Sequence, residues 1–166
     1  YVQNLLSNAH IIKGMPSEDF NWDFVKIKLE EELRLVVTIE DLKTRISNFI
    51  DNAQLSLNGI KFNFNFYTKS FKSFSSKDGM NIYRLIQEAV NNAIKHSNAS
   101  EIEVTLTEFE NKTNIVISDN GKGFNLESTE IGNGLNSMKK RASELKGNYK
   151  IETNNTGTKI YLILEN

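Results

Sequence analysis

The chain predicts an α+β fold in which helices cover one face of a mostly antiparallel sheet. Two observations predict it. Apolar residues recur at helical spacing over roughly Phe24 to Leu57, Asp78 to His96 and Leu135 to Leu145. Between and after those stretches lie short runs that alternate apolar and polar residues, as half-buried strands do.

Taken in order, Tyr1 to Lys13 forms a first helical stretch. Phe24 to Leu57 forms a second, marked by Leu29, Leu33, Val36, Ile39, Leu42, Ile46, Phe49 and Ala53. The only proline, Pro16, lies between them, so Gly14 to Asp19 reads as a turn with Ser17 or Asp19 as the N-cap. Gly59 ends the second helical region. From Ile60 to Thr68 the residues alternate, with Phe62, Phe64 and Phe66 on one side and Asn63 and Asn65 on the other. Lys69 to Lys77 is a Ser/Lys-rich loop, and Asp78 to His96 is helical. Ile102, Val104 and Leu106 mark a strand that the polar turn Glu108 to Lys112 joins to Ile115, Val116 and Ile117, which predicts a hairpin. Leu135, Met138, Ala142 and Leu145 mark a further helix, with Gly147 fitting its C-cap. Tyr149 to Thr153 and Lys159 to Leu164 are strands around Asn154-Asn155-Thr156-Gly157. No internal repeat is visible.

Composition bounds the function. At 166 residues and 39% hydrophobic content the chain can bury one core, with room for a short helical appendage. A net charge of -1 supplies no global basic field, which argues against nucleic acid as the main partner. The absence of cysteine excludes disulfides, thiolate metal sites and a cysteine nucleophile. No apolar run approaches the roughly 18 residues of a membrane span, and no signal-peptide layout opens the chain. This stretch is therefore expected to be soluble and cytoplasmic, which leaves membrane anchoring of a longer parent open.

The polar clusters between Glu88 and Thr158 carry the chemistry. On a helical wheel of about 100° per residue, Ile82, Ile86, Ala89, Val90 and Ala93 share one side, while Glu88, Asn92 and Lys95 fall within an arc of about 60° on the other. Asn92 offers a neutral oxygen suited to Mg²⁺, Glu88 can accept a proton or orient an attacking group, and Lys95 can balance phosphate charge. Taken alone, such a face is more often merely solvated. Asp119 follows an apolar strand, and Gly121 and Gly123 make a turn that brings backbone close to a ligand. A carboxylate there can accept from an exocyclic amino group such as that of adenine, although Asp-Asn-Gly also occurs in plain structural hairpins. Gly132-Asn133-Gly134 precedes a helix whose N–H groups and dipole can face phosphate, and Lys139, Lys140 and Arg141 add positive charge in the same segment. The alternative for that segment is a flexible loop with a solvated basic helix. Neither a P-loop nor a Gly-x-Gly-x-x-Gly pattern is present.

In this order the clusters resemble a known family. Gln87-Glu88-Ala89-Val90-Asn91-Asn92-Ala93-Ile94-Lys95-His96, Asp119-Asn120-Gly121-Lys122-Gly123-Phe124, Gly132-Asn133-Gly134-Leu135-Asn136-Ser137-Met138-Lys139-Lys140-Arg141 and Gly157-Thr158 are similar to the N, G1, G2 and terminal Gly-Thr boxes of sensor histidine kinase catalytic domains. The likeness covers roughly residues 35 to 166. The short interval from Phe124 to Gly132 and the Gly-Leu-x-x-Met-x-x-Arg run resemble the short-lid kinases that pair with LuxR-type response regulators.

The resemblance implies a Bergerat-type α/β sandwich over residues 35–166, preceded by a partial helical dimerisation and phosphoacceptor segment over residues 1–34. It implies ATP and Mg²⁺ as cofactors. Glu88 would orient or activate the phosphoryl acceptor, and Asn92 would bind the metal. ATP would contact Asn92, Lys95, His96, Asp119, Gly121, Gly123, Phe124, Gly132, Gly134, Leu135 and Thr158. Of these, Asp119 would read the adenine amino group with support from Thr158, and Gly132 and Gly134 would hinge a lid. The implied partners are a response-regulator receiver domain and the protein's own phosphoacceptor helices, in a homodimeric parent. His10 is followed by Ile11-Ile12 rather than an acidic residue, and so reads as a surface or packing residue. Tyr1 to Leu6 resembles the segment just past an acceptor histidine, so the fragment is expected to bind ATP without phosphorylating itself. The rival readings are a serine kinase of the anti-sigma-factor type and a nucleotide-dependent binding module without turnover. ATPases of the gyrase, Hsp90 and mismatch-repair type share the fold but carry a transducer domain, which is not expected after the strand that ends near Asn166.

Overall fold

The computed structural model describes residues 36–68, 72–109, 112–125 and 133–165. The readings for residues 1–35, including His10, lie outside them, as does Gly132. The described residues fall within one compact unit, Val36–Asn166.

The unit opens with strand β1, Val36–Thr38, where the periodicity predicts continued helix. Consecutive β-branched residues favour extended backbone, and β1 pairs antiparallel with β3, Ser73–Ser75. That second strand lies inside the stretch expected to be loop. Helix α1, Ile39–Ser56, begins where Thr38 accepts from the Asp41 N–H while the Asp41 carboxylate accepts from the Thr38 N–H at 3.0 Å, a closed capping box. Those bonds hold the Asp41 carboxyl below its usual range.

Helix α2, Ser76–Asn92, starts earlier than the apolar pattern indicates, because Ser75 accepts from the Asp78 N–H at 3.0 Å and so sets the N-cap. It runs into a π-helical turn, Ala93–Ser97, that ends at Asn98 in the left-handed region, φ 56°. Helix α3, Asn133–Glu144, closes differently from expectation. Lys146 takes the positive φ of 54°, and Gly147 is one residue further on, donating to the Ala142 carbonyl at 2.9 Å. A Cβ at Gly147 would stand 2.7 Å from methyl groups of Leu162 and Leu164, so glycine is there to let the chain lie on the sheet.

The main sheet holds β2 (Lys61–Tyr67), β4 (Glu101–Phe109), β5 (Lys112–Asp119), β7 (Gly157–Glu165) and β6 (Asn148–Asn154), in that spatial order. The β4–β5 hairpin and the β5–β7 and β7–β6 pairs are antiparallel, whereas β2 lies parallel to β4. The result is a mixed, mostly antiparallel sheet.

One face of the sheet is apolar and carries the helices. Ile102, Val104, Leu106, Ile115, Ile117, Ile160, Leu162 and Leu164 pack there against Leu42, Ile46, Ile82, Leu85, Ile86, Val90 and Met138. Each such side chain contributes roughly 1.5–3 kcal/mol on burial. The other face is polar: Asn63 and Asn65 donate to Glu101 and Glu103, each at 2.6 Å. Because core and polar residues alternate on every central strand, a one-residue slip of register would expose the whole apolar set.

Candidate nucleotide-binding site

The sheet delivers two adjacent strand ends to one place. Asp119, the last residue of β5, pairs with Thr158 near the start of β7. Gly157 has φ 137°, and a Cβ on it would strike the Asp119 carbonyl. Only glycine allows the strands to close up here. Thr158 is buried beside Asp119, and its hydroxyl lies 3.4 Å from that of Thr153.

The turn after Asp119 is held from both sides. Asp119 Oδ1 accepts from the Gly121 N–H at 2.9 Å, an Asx-type turn. A Cβ at Gly121 would collide with the Ser97 carbonyl, which instead accepts from the Lys122 N–H at 2.8 Å. Ser97 is itself buried, donating to the Ala93 carbonyl at 2.6 Å and accepting from the Ala99 N–H at 3.0 Å. Further along, the Phe124 N–H donates to Thr153 Oγ1 at 3.0 Å.

These segments enclose a cleft of about 620 Å³, large enough for a nucleotide-sized ligand. Ile117, Ile160, Ala89 and Ala93 give it an apolar floor, and polar groups ring the rest. Asn92, Lys95, His96, Asp119, Gly123, Phe124, Gly134, Leu135 and Thr158 line it. Glu88 does not line it but touches Gly134, which does: a Cβ on Gly134 would overlap Glu88 Oε1 and lie 3.2 Å from Asn92 Nδ2. Gly121 supports the wall from behind, against Ser97. The helical wheel placed Lys95 in register with Glu88 and Asn92, but the π-helical turn intervenes, and Lys95 reaches the cleft from that turn.

Two expectations about charge change. Lys140 and Arg141 line not the cleft but a separate recess of about 460 Å³ with Asn81, Ser137 and Glu144, and Arg141 donates to Ser137 Oγ at 2.6 Å. Lys122, which sequence reasoning passed over, lines the cleft instead, as do Ser97, Asn98, Ser118 and Asn133. Lys122 lies inside a motif already singled out. The others have no signature of their own, because the fold of the loops rather than any residue type brings them there. Among the described residues no group of three or more His, Asp or Glu gathers in the manner of an all-protein metal cage, and no helix is long and apolar enough to cross a membrane.

The site can be set beside known proteins. Residues 77–166 match the family model described as histidine kinase-, DNA gyrase B- and HSP90-like ATPase. Among relatives, the chain is 43% identical over 83 residues to the signal transduction histidine-protein kinase/phosphatase DegS of Brevibacillus brevis, covering 49% of this chain and 22% of that protein. It is 42% identical over 67 residues to the sensor histidine kinase LiaS of Bacillus subtilis, covering 40% and 19%. The chain thus spans about a fifth of the length of these relatives. In fold, it is similar to the histidine kinase domain of the blue-light activated kinase of Erythrobacter litoralis, with TM-score 0.64 at 16% identity over 76% of this chain and 59% of that one. The mycobacterial sensor histidine kinase MprB gives 0.62 at 17% identity over 78% and 95%. The mixed sheet with its helices is the fold of histidine kinase catalytic domains. With more than half of its length matched from α2 to the last strand, the chain belongs to the histidine kinase-, DNA gyrase B- and HSP90-like ATPase family.

Proposed function

We propose that the cleft holds Mg-ATP and that the chain is the catalytic portion of a two-component sensor histidine kinase, passing the γ-phosphoryl group to a histidine side chain. The observation that carries this reading is the pairing of Asp119 with Thr158 at the closed end of an apolar-floored cleft whose other side is formed by Asn92, Lys95 and His96.

Asp119 divides its work between two oxygens. Oδ1 accepts from Gly121 N–H, which leaves Oδ2 to accept from the ligand. Adenine presents an amino donor at the position where guanine has a carbonyl, so a carboxylate favours adenine. Phe124, Gly121 and Gly123 shape that end of the cleft, and Thr158 supports Asp119 from β7. At the other end Lys95 and His96 face the phosphates with the N-terminal turn of α3, where Gly134 and Leu135 form the approach.

The residues present fit Mg²⁺. Asn92 and Glu88 place an amide and a carboxylate side by side against Gly134, and a hard cation that keeps most of its waters needs few protein oxygens. Bound there, the ion would neutralise charge developing on the transferring phosphoryl group. Glu88 accepts the proton of, or orients, the attacking imidazole. We read residues 1–34 as part of the helical dimerisation and phosphoacceptor segment, and residues 35–166 as the ATP-binding domain. The longer protein is then a homodimeric sensor whose ATP-binding side faces the cytoplasm and whose partner is a response-regulator receiver domain. The names of the relatives, a signal transduction histidine-protein kinase/phosphatase and a sensor histidine kinase, support the sensor-kinase part of this reading.

The test is the chemistry of the phosphorylated product. Incubated with γ-labelled ATP, the full-length protein should acquire acid-labile, alkali-stable phosphate. Asn92→Ala or Glu88→Gln should lower the rate by about 100-fold or more. Acid-stable phosphate on serine would instead favour the anti-sigma-type kinase, and ATP binding without transfer, even with the regulator present, would favour a binding module.

A further inference from the structure

Asn120 directly follows Asp119, which lines the cleft, yet it does not line it itself. Its exposed side chain turns to the opposite side of the turn, toward the loop that follows the π-helical turn. There Asn120 Oδ1 accepts from two successive backbone donors, the N–H groups of Ser100 and Glu101, each at 3.0 Å. Asn120 Nδ2 donates to Ser100 Oγ, also at 3.0 Å. The Asn120 N–H reaches the Glu101 carbonyl at 3.3 Å.

The two segments joined in this way both line the site. One carries Lys95, His96, Ser97 and Asn98, and the other carries Asp119, Lys122, Gly123 and Phe124. A solvated turn needs no such anchoring for stability, since exposed hydrogen bonds add little. A base reader does need it: a carboxylate must be held to within about half an ångström for one of its oxygens to meet the base.

We propose that Asn120 is a positioning residue for base recognition, fixing the Asp119 carboxylate by clipping its turn to the Ser97–Glu101 loop. The proposal rests on the reading of the cleft as an adenine-nucleotide site. It requires an oxygen acceptor at residue 120 and little else, because the two backbone donors contribute most to the clip. Asparagine was met in the sequence only as a turn former, a role that many residues fill. Its two acceptor bonds at once make this position more demanding than that.

The experiment compares ADP with inosine diphosphate, which carries a carbonyl where adenine has the amino group, by titration calorimetry on the 166-residue chain. Wild type should prefer ADP. Asn120→Ala should weaken ADP binding by about tenfold, the loss of roughly one well-placed hydrogen bond, while inosine diphosphate binding stays within about twofold, so that the preference collapses. Asn120→Asp, which keeps the acceptor oxygen, should restore the preference. Equal weakening of both ligands in Asn120→Ala, or an unchanged preference, would overturn the proposal while leaving the adenine site standing. A wild type that binds both diphosphates equally would remove the base-reading role of Asp119, and this inference with it.

Discussion

At the scale of single residues, most of the candidate site was legible because its chemistry requires specific side chains. Few residue types could give position 92 its neutral amide oxygen or position 119 its two carboxylate acceptors. What was not legible is which charges reach the cleft. Lys140 and Arg141 add positive charge to the segment after Gly132-Asn133-Gly134 in the sequence, yet the α3 helix carries them to the recess shared with Asn81 and Glu144. Lys122 reaches the cleft because the tight turn around Gly121 and Gly123 directs it there. A half-buried tyrosine outside the site offers a separate test. The Tyr149 hydroxyl is shielded without a hydrogen-bond partner, and burial pushes its ionisation up to about 12. Only the neutral form is favoured in the folded protein, so its contribution is intact below the ordinary tyrosine pKa of about 10 and is lost as pH rises toward 12. Tyr149→Phe should leave the melting temperature at neutral pH unchanged or slightly raised, since it removes an unsatisfied buried polar atom. It should also blunt the fall in stability between pH 10 and pH 12, as followed by circular dichroism.

At the scale of elements, the long periodic helices and the alternating central strands followed from apolar spacing. The short pieces did not. Strands β1 and β3 have only three residues each, too few for a period to declare itself, and β1 continues the apolar series of the preceding stretch. A cap decides where α1 begins. Thr38→Ala should therefore destabilise the domain by about 1 kcal/mol in chemical denaturation. The Asp41 carboxyl, lowered by its bonds to Thr38, gives the same cap a pH signature. Its stabilising effect is complete above the ordinary value of 3.8 and disappears as pH falls below it. The difference between wild type and Thr38→Ala should shrink over that acid range. A difference that stays constant with pH would mean the capping box is not what holds the turn. The π-helical turn at Ala93–Ser97 was invisible for another reason. Its sequence is as helical as its neighbours, and the Ser97 bonds back to Ala93 and onward to Ala99 that mark its end have no signature in the spacing.

At the scale of the whole molecule, the layered architecture was readable from the order of elements, while the parallel placement of β2 beside β4 needed three dimensions. Phe62, Phe64 and Phe66 show which face of β2 meets the core, but nothing in their alternation states the direction of the neighbouring strand. In the proposed function the sheet matters because it sets Asp119 beside Thr158, with Asn92 of α2 lining the same cleft, so that base and phosphates would be met by different layers. The most direct test of this division is calorimetric titration of the chain with Mg-ATP, for wild type and for Asp119→Asn. An asparagine at 119 has one carbonyl oxygen to share between the Gly121 N–H and the adenine amino group. It should therefore weaken binding by about 10-fold to 100-fold, in line with the loss of a charge-assisted hydrogen bond. Binding of Mg-ATP that is the same in Asp119→Asn as in wild type would contradict the account.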